Sequence, residues 1–145
     1  MELALAQARL AAAGGEVPVG AIITDGAGQV LAAAHNSVEA MRDPTAHAEF
    51  LALAAARAAR GEKYLADCTL TVTLEPCVFC AGAIAALRLR RVVFGAYDPK
   101  TGGVEHGPRV FAHATTHHKP ELIGGVREGE CAALLKDFFA GFRHA

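Results

Sequence analysis

Residues Thr69-Leu70-Thr71-Val72-Thr73-Leu74-Glu75-Pro76-Cys77-Val78-Phe79-Cys80-Ala81-Gly82-Ala83 carry the chain from one kind of secondary structure into another. Thr69 to Leu74 alternates threonine with branched apolar side chains, the pattern of a buried strand. Pro76 lacks an amide hydrogen and suits a helix entrance, and the apolar run from Cys77 to about Leu87 supplies the helix. Arg91 to Ala96 reads as the next strand. Strand, helix, strand in that order is a parallel crossover, so the fold is built on a sheet with helices against it.

Working outward, Glu2 to Ala13 is rich in alanine and leucine and predicts a helix that Gly14-Gly15 stops. Val17 to Thr24 and Val30 to Ala34 read as strands joined by the turn Asp25-Gly26-Ala27-Gly28, an antiparallel hairpin. Asp43-Pro44-Thr45 opens an alanine-rich helix from Ala46 to Arg60, with Thr45 as its N-cap and Gly61 as its stop. Beyond Ala96, residues Gly102 to Pro120 are irregular and histidine-rich. Leu122-Ile123 reads as a short last strand, and Glu130 to Phe142 as a terminal helix. The architecture is α/β with a mixed sheet. No linker, repeat or low-complexity tract divides residues 1–145, so the reading is one domain.

Composition narrows the function classes. Apolar residues make up 52% of 145 residues, enough to build a core. The net charge of −1 argues against a general nucleic-acid binder, whose affinity comes largely from phosphate neutralisation. Any RNA contact must come from clustered basic groups. The N-terminus carries Glu2 and no basic leader, and no apolar run reaches the ~18 residues of a membrane span. The expectation is a cytoplasmic protein with no membrane partner. Cys68 and Cys131 stand alone in apolar stretches and read as small buried hydrophobes in a reducing compartment.

The chemistry lies where two predicted helices begin. His47-Ala48-Glu49 opens one and Cys77-Val78-Phe79-Cys80 the next. Parallel crossover brings both beginnings to the same end of the sheet. One imidazole and two thiolates suit zinc, and three protein ligands leave its fourth position to water, which ionises near neutral pH when bound. Glu49 is then a carboxylate that the metal does not need and that can carry a proton. Positive helix ends favour the ionised thiolates. A C-x-x-C pair alone also fits a redox site, which gives His47 and Glu49 no role. A closed structural zinc site would recruit His106, His113, His117 or His118 as a fourth ligand. The combination of H-x-E with P-C-x-x-C is the signature of zinc nucleobase deaminases.

On those motifs the chain resembles the cytidine deaminase superfamily, and within it the bacterial tRNA adenosine deaminases. The likeness runs from Glu16-Val17-Pro18-Val19-Gly20-Ala21 through Asp43-Pro44-Thr45-Ala46-His47-Ala48-Glu49 and the Thr71–Ala83 stretch. It continues to Arg91–Ala96, Glu130–Leu135 and Asp137-Phe138-Phe139. The resemblance implies a three-layer α/β/α fold around a central mixed five-stranded sheet. It implies one Zn2+ per subunit on His47, Cys77 and Cys80, with Glu49 as proton shuttle, in a homodimer that converts the wobble adenosine of a tRNA anticodon stem-loop to inosine. Asn36 would contact the target nucleoside, Asp98 the substrate backbone and Lys100 a phosphate. In the tail, Lys136, Phe139, Arg143 and His144 would meet RNA, although Phe138, Phe139 and Phe142 read equally as core. The Arg88, Arg90 and Arg91 cluster is a second basic candidate. Ile84, Leu87 and Leu89 face either a partner chain or the core. A deaminase of a free base or nucleoside such as guanine, cytosine or cytidine is the alternative that keeps the chemistry; a binding module with a structural zinc is the one that does not.

Many members of the family have a run of small residues between Gly103 and Arg109; here Gly-Val-Glu-His-Gly-Pro-Arg replaces it, a variant that also occurs within the family. Glu105 and His106 are thereby placed near the expected site mouth. The chain also begins within its first predicted helix, which leaves room for a longer natural N-terminus.

Overall fold

In the computed structural model, which describes residues 1–143 and side chains up to residue 141, five strands form one sheet in the order β2-β1-β3-β4-β5. They are β1 (Gly20–Thr24), β2 (Val30–His35), β3 (Thr69–Leu74), β4 (Arg91–Ala96) and β5 (Glu121–Ile123). β1 pairs antiparallel with β2 and β3, while β3-β4 and β4-β5 are parallel. The sheet is mixed and five-stranded, as expected. β2 and β3 therefore run the same way, so the helices that follow them start at the same sheet end. Those helices are α3 (Ala48–Arg60) and α4 (Val78–Leu87).

α3 and α4 cover one face. α3 buries Ala48, Ala52, Leu53 and Ala56 at helical spacing, and α4 buries Ala81, Ile84 and Ala85 against the same core. Full burial of one side chain such as Leu53 contributes about 1.5–3 kcal/mol. Ile84 and Leu89 are wholly buried, so the structure assigns both to the core rather than to a partner surface. On the other face lie α1 (Glu2–Ala13) and α5 (Glu128–Arg143). Each presses on the sheet at a glycine. A Cβ at Gly20 would sit 2.0 Å from the Ala4 carbonyl oxygen, and one at Gly95 would sit 2.3 Å from Cys131 Sγ. Cys68 and Cys131 are free thiols in the interior. Among the described residues no helix is long and apolar enough to cross a membrane.

Among the differences from the sequence reading, four have a clear local reason. The first strand begins at Gly20 rather than Val17, because Pro18 has no amide to give to a ladder. Thr45 is not the N-cap of α3: its amide and hydroxyl both bond Asp43 Oδ1, at 2.9 and 2.7 Å, and His47 occupies the N-cap position without a side-chain cap bond. α5 starts two residues early, with Glu128 and Glu130 in its first turn, where the positive helix end favours acids. A four-residue helix, α2 (Val38–Met41), follows β2 unannounced by any periodicity. Its first amides are held by a residue far upstream: buried Glu16 accepts from the amides of Glu39 at 3.0 Å and Ala40 at 2.8 Å.

Candidate metal and active site

His47 and Cys77 occupy equivalent places, each an extended residue at the N-cap of its helix (φ −72° and −73°) with no side-chain cap bond. Their carbonyls accept the first helical bonds, from Leu51 and Ala81. Their side chains are thus freed from capping and aimed across the shared sheet end. Cys80 lies three residues into the turn, the place from which a capping partner faces the N-cap. The ligand atoms of His47, Cys77 and Cys80 all lie within 4.8 Å of one another. His47 Nδ1 is 3.5 Å from each sulfur. Zinc bonds of about 2.3 Å to sulfur and about 2.0 Å to nitrogen subtend a tetrahedral edge of about 3.5 Å. The donors present therefore fit one zinc ion. Phe79 holds the imidazole edge-on with ring centroids 5.8 Å apart, and it leans on Phe50 in turn.

Glu49, two residues past the N-cap of α3, is buried. Burial pushes its carboxyl up to about 7, and the adjacent Cys77 sulfur adds to that. Between the two sulfurs, the hydrogen bond from Cys80 brings Cys77 down to about 5, while the same bond and burial drive Cys80 up.

None of the four histidines offered as a fourth ligand joins His47, Cys77 and Cys80 among the described residues. His106 Nδ1 lies 2.8 Å from Glu75 Oε1, His118 Nε2 faces the Leu89 carbonyl, His113 Nδ1 meets Thr115, and His117 is exposed. The donor set is three protein ligands.

A hollow of about 150 Å³ opens over these groups, lined by His47, Glu49 and Cys77 together with Asn36, Asp98, Thr101 and Val17. Pockets for drug-sized ligands run to roughly 300–1,000 Å³, so this one suits a single small heterocycle. Two grooves adjoin it. The larger, about 800 Å³, shares Asp98 and Thr101 and adds Lys100, Lys136 and Phe139. The second, about 540 Å³, shares Asn36 and runs along Glu16, Phe138 and Phe139. Phe139 is 46% exposed and borders both grooves, which removes it from the core. The structure thus brings Asn36 and Asp98 to the hollow that holds Glu49, and Lys100 and Phe139 to the grooves beside it. The Arg143 and Phe142 side chains and His144 lie outside the described residues.

Two groups of candidates lie apart from the donors and cavities. Arg88, Arg90 and Arg91 sit where α4 ends and β4 begins, at the sheet end opposite the metal donors. Arg88 lies 4.4 Å over the Tyr64 ring, and Arg91 is paired with Glu121 at 2.8 Å. Glu105 is exposed and lines none of the three cavities. The residue that sequence reading passed over is Glu75. Its buried carboxylate is pushed up by burial, yet bonds from His106 and the amides of Asp98, His106 and Glu105 leave it below the ordinary range. A glutamate before proline carries no local sign of that role.

Comparison with known proteins agrees with this geometry. The family model for the cytidine and deoxycytidylate deaminase zinc-binding region matches residues 1–96. The chain is 45% identical over 139 residues to the tRNA-specific adenosine deaminase of Agrobacterium fabrum, covering 96% of this chain and 91% of that protein. It is equally identical to a structure solved in studies of A-to-I editing by tRNA:A34 deaminases at the wobble position of transfer RNA. That match has a TM-score of 0.91 and covers 93% of this chain and 97% of the other. A guanine deaminase from Bacillus subtilis is 36% identical with a TM-score of 0.62, over 66% of this chain and 61% of its own.

Proposed function

The chain belongs to the cytidine and deoxycytidylate deaminase zinc-binding family, and on that premise we propose that it hydrolyses the wobble adenosine of a tRNA anticodon to inosine. The observation that carries this reading is the 45% identity to a tRNA-specific adenosine deaminase over almost the whole chain. That likeness extends past residue 96, where the family region ends, into the segments that wall the site.

His47, Cys77 and Cys80 hold one Zn2+, which when bound acts as a Lewis acid and makes water nucleophilic at neutral pH. Glu49 takes one proton from the attacking water and gives it to a ring nitrogen, then takes the remaining proton of the added hydroxyl and delivers it to the departing amino group, which leaves as ammonia. Adenosine and water become inosine and ammonia. Glu49 is placed for this work because it lines the hollow beside the three donors without joining them. Asn36 borders the same hollow and orients the nucleoside, while its backbone amide is tied to the Val19 carbonyl at 3.0 Å. Asp98, Lys100, Phe139 and Arg143 receive the flanking strand. A base already in a single-stranded loop costs little to extract, and the two grooves give its neighbours somewhere to lie.

The protein works as a single domain in the cytoplasm and pairs as a homodimer. Val78 and Phe79, exposed beside the metal donors, support a pairing surface there.

The test is to incubate the zinc-loaded protein with an anticodon stem-loop and, separately, with guanine, cytosine and cytidine. Inosine should appear in the stem-loop and no ammonia should come from the others. Ammonia released only from a free base or nucleoside overturns the tRNA assignment.

A further inference from the structure

Glu75 closes β3 immediately before Pro76 and Cys77, and its side chain is fully buried. Its Oε2 accepts the backbone amides of Val104, Glu105 and His106 at 3.2, 3.0 and 3.0 Å. Its Oε1 accepts the Asp98 amide at 3.1 Å and faces His106 Nδ1 at 2.8 Å. One carboxylate thus collects five donors from a single loop, 23 to 31 residues away in sequence.

The loop has no slack against that carboxylate. A Cβ at Gly102 would fall 2.4 Å from Oε2, and one at Gly103 would fall 2.6 Å from the Val78 nitrogen. Gly103 also donates to the Pro76 carbonyl at 2.8 Å. The loop is therefore pressed onto the turn that presents Cys77. Its other side faces the cavities: Asp98 and Thr101 line the hollow and Lys100 the larger groove. Asp98 keeps its own carboxylate occupied within the loop, by the amides of Lys100 and Thr101 and the Thr101 hydroxyl. That internal order needs an external anchor, and an apolar residue at position 75 would strand four backbone amides, the buried one of Val104 among them.

We infer that Glu75, paired with His106, is a positioning residue that fixes the 98–106 loop as the wall against which the RNA strand lies. This rests on the RNA-deaminating reading above. His106 extends the anchor by one side-chain donor, so this wall is held by an imidazole as well as by backbone amides.

The experiment uses zinc-loaded full-length Glu75→Gln, His106→Ala and His106→Asn with the anticodon stem-loop. Asparagine presents an N–H close to where Nδ1 stood. Glu75→Gln and His106→Ala should each raise KM about tenfold, with kcat within about threefold and one zinc per chain retained. His106→Asn should bring KM back toward the parent value. Amide exchange at residues 104–106, measured without substrate, should speed up about tenfold or more in the first two variants. Unchanged KM in both, or a kcat loss that tracks lost zinc, would reduce Glu75 to a support for the metal turn and overturn the proposal. If Glu75→Gln does not fold, the two His106 variants decide. The exchange readout separates the two ideas: a parent protein that ignores the stem-loop sinks the substrate reading, while slow exchange in the variants of an active parent sinks the anchor alone.

Discussion

The floor of the site and its walls are held by different means. On the floor, His47, Cys77 and Cys80 sit at two helix entrances that the sheet brings together, and each functional residue is within three positions of another in sequence. The walls are the 98–106 loop and the α2 segment beside Asn36. Each is pinned by one buried carboxylate reaching across 23 residues or more, Glu75 in the first case and Glu16 in the second. Chemistry that must not vary is built on rigid element ends, and surfaces that choose a substrate are hung from single anchors. The exposed positions of each wall can then change while the anchor and the metal donors stay in place.

The largest way to break this contrast is at the floor. Cys77→Ser should lose zinc, most of its thermal stability margin and all measurable deamination together, since metal binding is linked to folding. Full zinc occupancy with activity, by elemental analysis and ammonia release, would show that the floor does not depend on this donor set. Glu49→Ala tests the proton carrier separately. It should retain zinc yet reduce kcat by about 10²- to 10⁴-fold. Its melting temperature should hold or rise, because the carboxylate removed is one that burial disfavours. Unchanged activity in a zinc-replete Glu49→Ala protein would leave a structural zinc as the better reading.

What sequence could show follows the same division. The five strands and the four long helices were legible because alternation and alanine-rich runs are local signals. So was the floor, because H-x-E and C-x-x-C state their own spacing. The walls were not. Nothing near Val38–Met41 has helical periodicity, and that turn of helix exists because Glu16 caps it from outside. Glu75 lay inside the most informative stretch of the chain, yet its partners at 98 and 104–106 cannot be inferred from its neighbours. Thr45 misled for the opposite reason: it has capping chemistry, and Asp43 had already claimed it. Ile84 and Leu89 looked equally suited to core or interface, which only packing decides.

The α2 wall offers a mid-sized test. Glu16→Ala leaves the amides of Glu39 and Ala40 without their partner, at a cost of about 1–3 kcal/mol, read from the denaturant midpoint. Zinc content should not change, and KM for the stem-loop should rise more than kcat falls, because α2 adjoins Asn36 and not the donors. Loss of zinc in this variant would mean that floor and walls are not independent.

The smallest effect lies where α5, which carries Phe139 to the grooves, is tied down. Arg127 bonds Glu130 at 2.7 and 2.8 Å and also pairs with Glu2 of α1. These hydrogen bonds and charges hold both glutamate carboxyls below their ordinary range. A carboxylate whose pKa is lower folded than unfolded contributes stability above its unfolded value, about 4.3 for glutamate. That contribution is lost as pH falls through the folded value. The melting-temperature gap between the parent and Arg127→Ala should therefore be widest near neutral pH and close as pH drops below about 4. It should also narrow in 1 M salt, since every member of the network is solvent-facing. Arg127 holds φ +51° in the parent as well, so the left-handed backbone is common to both proteins and cancels from the gap. A gap constant from pH 7 to pH 3 would assign the whole effect to the lost arginine packing and leave the ion pairs no part in seating α5.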